Sequence, residues 1–511
     1  MSEVSQALQK IARGTGIIFA GTVVSMLFGF LSRMIIARYF STGEYGVFNL
    51  ALTVLSIALV IATLGFQNSL PREVAVYRER EPSRVKALIS TALIIVAVNS
   101  LVLTVLLVIL SGEISLIFHD ERLLHALKVV AFALPFSALT GVIISTTQGF
   151  GRVREKVYFQ NIIRPAVWLA LVSLMAFLNL PLSSIFWVYV LTQAATFSAM
   201  LLEVFRIGIL TSKAGFHPNR EIGVKLVKFS VPLMLTGIAG FIMTWTDTLM
   251  LGYYESSDVV GLYNAAAPLA RLLPVFLNSA AFLYPPIISQ LYVQRKMSEM
   301  KRTYQILTKW IFLLTLPLFS VMFLFPEATI SFLFGSKYVS TSSALQILAL
   351  GFMFHTFLGL NGLSLLVIGE SKFIMVSGLV SAVFNVILNA FLIPIYGMEG
   401  AAVATAVSYF IGNVLSSLKL YKETKIHPFS WNYVKPLVIS FVLLGIIQTL
   451  NLNVPNVLYA IPVLFAFLLV YFFLVLLSRS VDKEDVELFL AIERKLGIDA
   501  EIIKKILRRF V

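Results

Sequence analysis

The chain has 511 residues, of which 58% are hydrophobic and only 13% charged, with a mean hydropathy of +0.89. An average soluble domain is about 25% charged, so an ordinary cytosolic enzyme is excluded. The net charge of +14 sits between hydrophobic runs, not on a basic face interleaved with aromatic platforms, which argues against nucleic acid as a partner. Cysteine is absent, which removes disulfides and thiolate metal sites.

Apolar runs of about 20 residues, each able to cross a ~30 Å hydrocarbon layer as a helix, recur along the whole chain. Fourteen spans are predicted, at 15–37, 46–66, 87–110, 126–148, 161–178, 184–205, 229–252, 260–291, 309–326, 343–368, 373–395, 399–418, 435–451 and 457–477. The first run is full length and contains Arg33, so it reads as a retained helix, not a cleaved signal. With the N-terminus inside, 33 of the 40 Lys and Arg fall in cytoplasmic segments, and only Arg122 and Lys337 in outer loops. Such asymmetry is the positive-inside pattern, and it predicts a plasma-membrane protein with both termini cytoplasmic. Val4, Leu8 and Ile11 have the spacing of an interfacial helix, and the tail from about 479 is charged and amphipathic.

An internal repeat organises these spans. Glu44-Tyr45-Gly46-Val47-Phe48-Asn49-Leu50-Ala51 matches Val259-Val260-Gly261-Leu262-Tyr263-Asn264-Ala265-Ala266 at an offset of 215, and Gly151 falls on Gly369 at an offset of 218. Six spans separate the copies, so the two halves run in the same direction. The expected architecture is an all-α integral membrane protein with two pseudo-symmetric six-helix lobes, 1–215 and 216–425. Beyond them come a pair of extra helices (426–478) and a cytoplasmic tail (479–511).

Ionisable side chains within spans are costly and mark functional candidates. Arg271 lies between Pro268 and Pro274 in span 8, where prolines loosen a helix. An arginine there can grip a phosphate with two parallel hydrogen bonds, or pair with a carboxylate for packing. Arg33 and Arg38 in span 1 are five residues apart and do not share a helix face, so one can face a cleft while the other snorkels. Arg164 begins span 5 and can either capture a phosphate at the entrance or snorkel. Asp247 in span 7 stands among threonines, Asn385 and Asn389 share one face of span 11, and Thr405 and the Ala401 carbonyl have the same spacing on span 12. One carboxylate with amide, hydroxyl and carbonyl oxygens suits a hard monovalent cation such as Na⁺; alternatively Asp247 bonds the threonines and the asparagines pack helices. His355 reads as a neutral, hydrogen-bonded histidine. Pro232, Gly237 and Gly240 predict a bend in span 7. No P-loop, H-E-x-x-H or cysteine pair occurs, so no catalytic constellation is expected and the chain reads as a non-enzyme.

The run Ala37-Arg38-Tyr39-Phe40…Glu44-Tyr45-Gly46 resembles the polysaccharide transporters of the MOP flippase superfamily. So does Asn385-x3-Asn389-x4-Pro394-x2-Gly397-x2-Gly400-Ala401-Ala402-x-Ala404-Thr405. The resemblance, over about residues 5 to 420, implies a MATE-like fold and export of a polyprenyl-(pyro)phosphate-linked oligosaccharide to the outer leaflet by a monomer among membrane lipids. Arg271 matches a cavity arginine of MurJ-like members, which have an arginine one position before Arg33, at Ser32. The extra pair of spans resembles the MurJ-like helices that form a groove for the lipid tail. Asp247, Asn385, Asn389, Ala401 and Thr405 match the MurJ-like sodium site, with Asn389 where a carboxylate can occur, so that H⁺ is the alternative coupling ion. The rival functions are a MATE-like drug/cation antiporter, expected to have an acidic cavity, and a membrane glycan polymerase or glycosyltransferase.

Overall fold

The structure, a computed structural model, describes residues 3–209, 218–281, 284–450 and 457–486. Among them all regular structure is helical. By contacts the chain groups into two compact units, one of residues up to Ala265 plus Val386–Ala401, the other of Ala266–Asn385 plus the chain from Ala402 onward.

The first unit begins with α1 (Glu3–Tyr39), α2 (Thr42–Thr63), α3 (Phe66–Arg80), α4 (Val85–Ile117), α5 (Arg122–Val130) and α6 (Ala133–Gly149). It continues with a π-helical stretch, 156–163, then α7 (Arg164–Phe177), α8 (Leu182–Arg206), α9 (Arg220–Tyr254) and the first part of α10 (Ser257–Ala270). The second unit holds α11 (Val275–Ala280), α12 (Tyr284–Val293), α13 (Met297–Leu324), α14 (Pro326–Phe334), α15 (Ser342–Phe357) and α16 (Asn361–Val367). The long α17 (Ser371–Thr424) contributes to both units; α18 (Trp431–Thr449) and α19 (Val457–Leu477) belong to the second.

Among the described residues ten helices are long and apolar enough to span a bilayer, or up to twelve if each of two bent pairs is one span. Large apolar side chains such as Ile109, Leu202 and Leu469 are exposed on their outer faces, as a lipid solvent requires. This is a multi-pass membrane protein. The tally differs from fourteen where helices break or fuse. Span 8 is divided into α10, α11 and α12, each too short to count; the first break is a turn at 271–274, which follows Pro268 and ends at Pro274. Spans 11 and 12 run together as α17, whose 54 residues would reach about 80 Å as a straight helix. Gly397, at φ 54° and ψ −129°, breaks it. The bend predicted in span 7 is present: α9 turns by 53° between Met234 and Gly237.

Local chemistry explains the tightest joints. Ser41 caps α2: its hydroxyl accepts from the Glu44 amide at 3.2 Å, while its own amide donates to the Glu44 carboxylate at 2.9 Å, a reciprocal capping box. The starts of α2 and α10 then cross at the repeated glycines. A Cβ on Gly46 would lie 1.7 Å from the Ser257 carbonyl oxygen, and one on Gly261 would lie 1.9 Å from the Thr42 carbonyl oxygen. Thr42 and Ser257 are themselves 215 residues apart, so the contact is reciprocal within the repeat. Thr42 donates to Asp258 at 2.5 Å and Ser257 to Asp120 at 2.6 Å, and Arg122 pairs with Asp120 at 2.7 Å. Burial pushes the Asp120 carboxyl up, but hydrogen bonds from Arg122 and Ser257 outweigh it and hold the group below its ordinary range. Asn49 and Asn264, also 215 apart, each donate to the carbonyl four residues back, Tyr45 and Val260. Gly151 and Gly369 each close a helix with positive φ, 75° and 91°. The repeat is therefore geometric as well as textual.

Lys309, at the start of predicted span 9, is only 2% exposed. Its ammonium contacts Asp482 and lies 2.6 Å from Asp485. Arg302 binds Glu484 and Asp482, each at 2.7 Å, Trp310 donates to Asp485 at 2.6 Å, and Asn432 to Asp482 at 2.9 Å. The first residues of the tail are thus clamped to α13 and α18, because three carboxylates within four positions meet a matching set of donors. The tail beyond 486 and the side chains of Val4, Leu8 and Ile11 lie outside the described residues. His355 is hydrogen-bonded to Asn413 at 3.1 Å.

Candidate functional site

A cavity of about 250 Å³ opens within the first unit, walled by α1, α2, α7 and α8 with Trp245 of α9. From α1, Ser25, Gly29, Arg33 and Ile36 line it, at the spacing of one helical face. Arg164 enters at the junction of the π-helical stretch and α7. The proline ring at 165 would clash with the carbonyl four residues back and offers no N–H. Widening the preceding turns relieves this, and the Arg164 amide bonds to Phe159, five residues back. The widened stretch fits α1 because Gly21 has no side chain: a Cβ there would sit 2.4 Å from Val157. π-turns often mark functional positions, and this one sets an arginine into the cavity.

Arg33 and Arg164 are both half-buried and line the same cavity, and among the described residues neither is in an ion pair. No carboxylate lines it. Arg33 acts electrostatically on the Tyr45 hydroxyl, and Arg164 on that of Tyr189. Asn49, Thr192 and Gln193 supply amide and hydroxyl groups. The opposite chemistry is aromatic: Trp168 stacks on Phe48, with centroids 6.1 Å apart and planes at 8°, and meets Tyr189 edge-on at 5.6 Å. Arg38 is exposed at the end of α1 and does not line the cavity. Arg271 occupies the broken turn of span 8 in the second unit, half-buried, with its amide bonded to the Ala267 carbonyl at 3.1 Å.

The residues expected to form one cation site fall into two groups. In the first unit Asp247, 1% exposed, accepts from the Tyr263 hydroxyl at 2.5 Å and from the Asn389 amide at 2.9 Å. In the second unit Asn385 donates to Thr405 at 3.2 Å. Ala401 is fully buried. Oxygen donors of this kind suit Na⁺ better than a transition metal, and among the described residues no group of three or more His, Cys, Asp or Glu could hold a metal ion. Sequence reasoning missed Tyr263, although a signal existed: the repeat aligns it with Phe48, and its extra hydroxyl is what reaches Asp247. It also missed the aromatic wall, because tryptophans in apolar spans look like ordinary lipid-facing residues.

A helical bundle of spans enclosing a cationic cavity is the architecture of a polytopic transporter. The sequence profile described as "Polysaccharide biosynthesis protein" matches residues 11–292, more than half of the chain, and the chain belongs to that family. The MatE profile also matches, over 232–391, and the fold is that of the MOP superfamily. The chain is 22% identical over 447 residues to a Haloferax volcanii protein described as a probable low-salt glycan biosynthesis flippase, Agl15, covering 87% of this chain and 91% of that one. It is 21% identical over 410 residues to a Shigella flexneri protein described as a putative O-antigen transporter, covering 77% and 94%. Among solved structures, the lipid II flippase MurJ in an inward closed conformation has a TM-score of 0.72 at 17% identity, over 94% of this chain and 99% of that one.

Proposed function

We propose that this protein flips a polyprenyl-(pyro)phosphate-linked oligosaccharide from the cytoplasmic to the outer leaflet of the plasma membrane, with both termini inside. The observation that carries the reading is the cavity holding Arg33 and Arg164 with no carboxylate in its wall. A bare pyrophosphate in hydrocarbon costs tens of kcal/mol by Born estimates, and two guanidinium groups replace its lost hydration with charge-assisted bonds. A MATE-like antiporter for cations needs the reverse polarity. The relatives described as a glycan flippase and an O-antigen transporter point the same way.

In this reading the lobes 1–215 and 216–425 alternate access, Arg271 of the second unit also binds phosphate, and 426–478 guide the lipid tail. An inside-negative potential favours the outward step by ~2.3 kcal/mol per charge per 100 mV. Asp247, with Tyr263 and Asn389, binds Na⁺ or H⁺ and resets the lobes. The chain moves its substrate and makes no bond.

The test is reconstitution in vesicles loaded with a polyprenyl-pyrophosphoryl glycan, monitoring its access to an impermeant lectin. Arg33→Ala and Arg164→Ala should each slow flipping at least about tenfold, the worth of ~1.4 kcal/mol. Undiminished flipping by the double variant, correctly inserted, would overturn the proposal. Repeating the assay with and without a Na⁺ or pH gradient tests the coupling ion.

A further inference from the structure

The guanidinium groups account for a pyrophosphate, but they do not account for the rest of the cavity wall. Phe48, stacked on Trp168, and Tyr189, edge-on to it, form a contiguous cluster, which holds the Trp168 indole in one orientation. Trp245 faces the same space, half-buried, and among the described residues it makes no ring contact and no hydrogen bond. Asn49, Thr192 and Gln193 add amide and hydroxyl groups beside it. An aromatic face beside amide and hydroxyl groups is matched to a pyranose ring, whose C–H faces are apolar and whose rim is hydroxyl. A polyprenol chain would use the aromatic surface but brings no hydroxyl groups to the polar ones.

We infer that this cavity discriminates the glycosylated carrier from the bare polyprenyl pyrophosphate, with Trp245 as the residue that reads the sugar. The inference rests on the flippase reading and deepens it. The arginines bind both forms of the carrier through the pyrophosphate, while Trp245 contacts only the form that carries a sugar. A carrier stripped of its glycan therefore competes poorly for the cavity, and each transport cycle is kept for loaded substrate. Trp168 is a positioning residue, set by its contacts with Phe48 and Tyr189.

Detergent-solubilised full-length protein is titrated with two probes, polyprenyl pyrophosphate and polyprenyl-pyrophosphoryl-N-acetylglucosamine. The wild type should bind the sugar-bearing probe roughly three- to tenfold more tightly, the range expected for one aromatic contact. Trp245→Ala should bring that ratio close to one while leaving the affinity for the bare probe within about twofold; Trp245→Phe should restore part of the ratio. Arg33→Ala should weaken both probes equally and keep the ratio. A wild-type ratio of one, or a ratio unchanged in Trp245→Ala, overturns the inference. Binding of both probes that is indifferent to Arg33→Ala and Arg164→Ala overturns the flippase reading instead, so the two failures are distinct.

Discussion

Replacing Gly46 by alanine puts a methyl carbon 1.7 Å from the Ser257 carbonyl oxygen. A carbon–oxygen contact settles near 3.3–3.6 Å, so the starts of α2 and α10 must move apart by roughly 1.6 Å or more. Neither partner can yield as a flexible side chain would, because the oxygen belongs to backbone and a Cβ is fixed rigidly to it. Overpacking of this kind costs about 1–3 kcal/mol, charged only to arrangements in which the two helix ends touch. If transport alternates between a state with this crossing closed and one with it open, the population shifts by a factor of about 5 to 150. The chain has no cysteine, so Ser25→Cys in the cavity gives a single labelling site. In right-side-out vesicles, Gly46→Ala should raise its labelling by an impermeant maleimide from outside and slow flipping. Gly261→Ala should do the same, and the double variant should add little, because both break one contact. Gly112→Ala, where the nearest atom would be Leu124 Cδ1 at 3.8 Å, is the control. Unchanged labelling and unchanged melting temperature in Gly46→Ala would refute the reasoning.

Tyr263→Phe removes a 2.5 Å hydrogen bond to buried Asp247, worth about 1.5–3 kcal/mol if the carboxylate is ionised. It should lower the melting temperature and shift the Na⁺ or pH dependence of flipping; a shift in neither ends the coupling role. Pro165→Ala removes the ring that holds 156–163 in its wide turns, so flipping should fall while the melting temperature is kept or raised; full activity would show that the π-helical register is incidental. Lys309→Met leaves Asp482 and Asp485 without their ammonium and should cost about 3–5 kcal/mol, seen as earlier proteolysis within 478–486. Burial raises the Asp482 carboxyl, but bonds from Lys309, Asn432 and Arg302 win, and Glu484 is lowered chiefly by Arg302. Their contribution is therefore fully present above the ordinary carboxylate range and is lost as pH falls through the depressed values. Tail protection should persist at pH 5 and fail only below about pH 4; failure between pH 5 and 7 would contradict this.

Much of this architecture could be read from one sequence because hydropathy, proline and a repeat are local signals. Pro268 and Pro274 announced the break that carries Arg271, and the offset of 215 aligned Gly46 with Gly261. Arg33 and Arg164 were found because a guanidinium in a span is expensive wherever it points. The partners were harder to see. Nothing near Lys309 in sequence indicates that carboxylates more than 170 residues away will bury it, since such a clamp is tertiary. The π-helical stretch was likewise invisible: Arg164-Pro165 reads as the start of a helix, and only packing against Gly21 shows that the widening extends backwards.

The glycine crossing bears on ancestry. Gly46 of α2 meets Ser257, the first residue of α10, just as Gly261 of α10 meets Thr42, the first residue of α2. Such residue-for-residue reciprocity defines an isologous interface between identical subunits. A half-length ancestor with a parallel set of six spans would have carried this self-complementary patch already. Fusion of two such genes would join protomers already partnered, and divergence elsewhere, such as Asp247 in one copy, would leave the seam undisturbed.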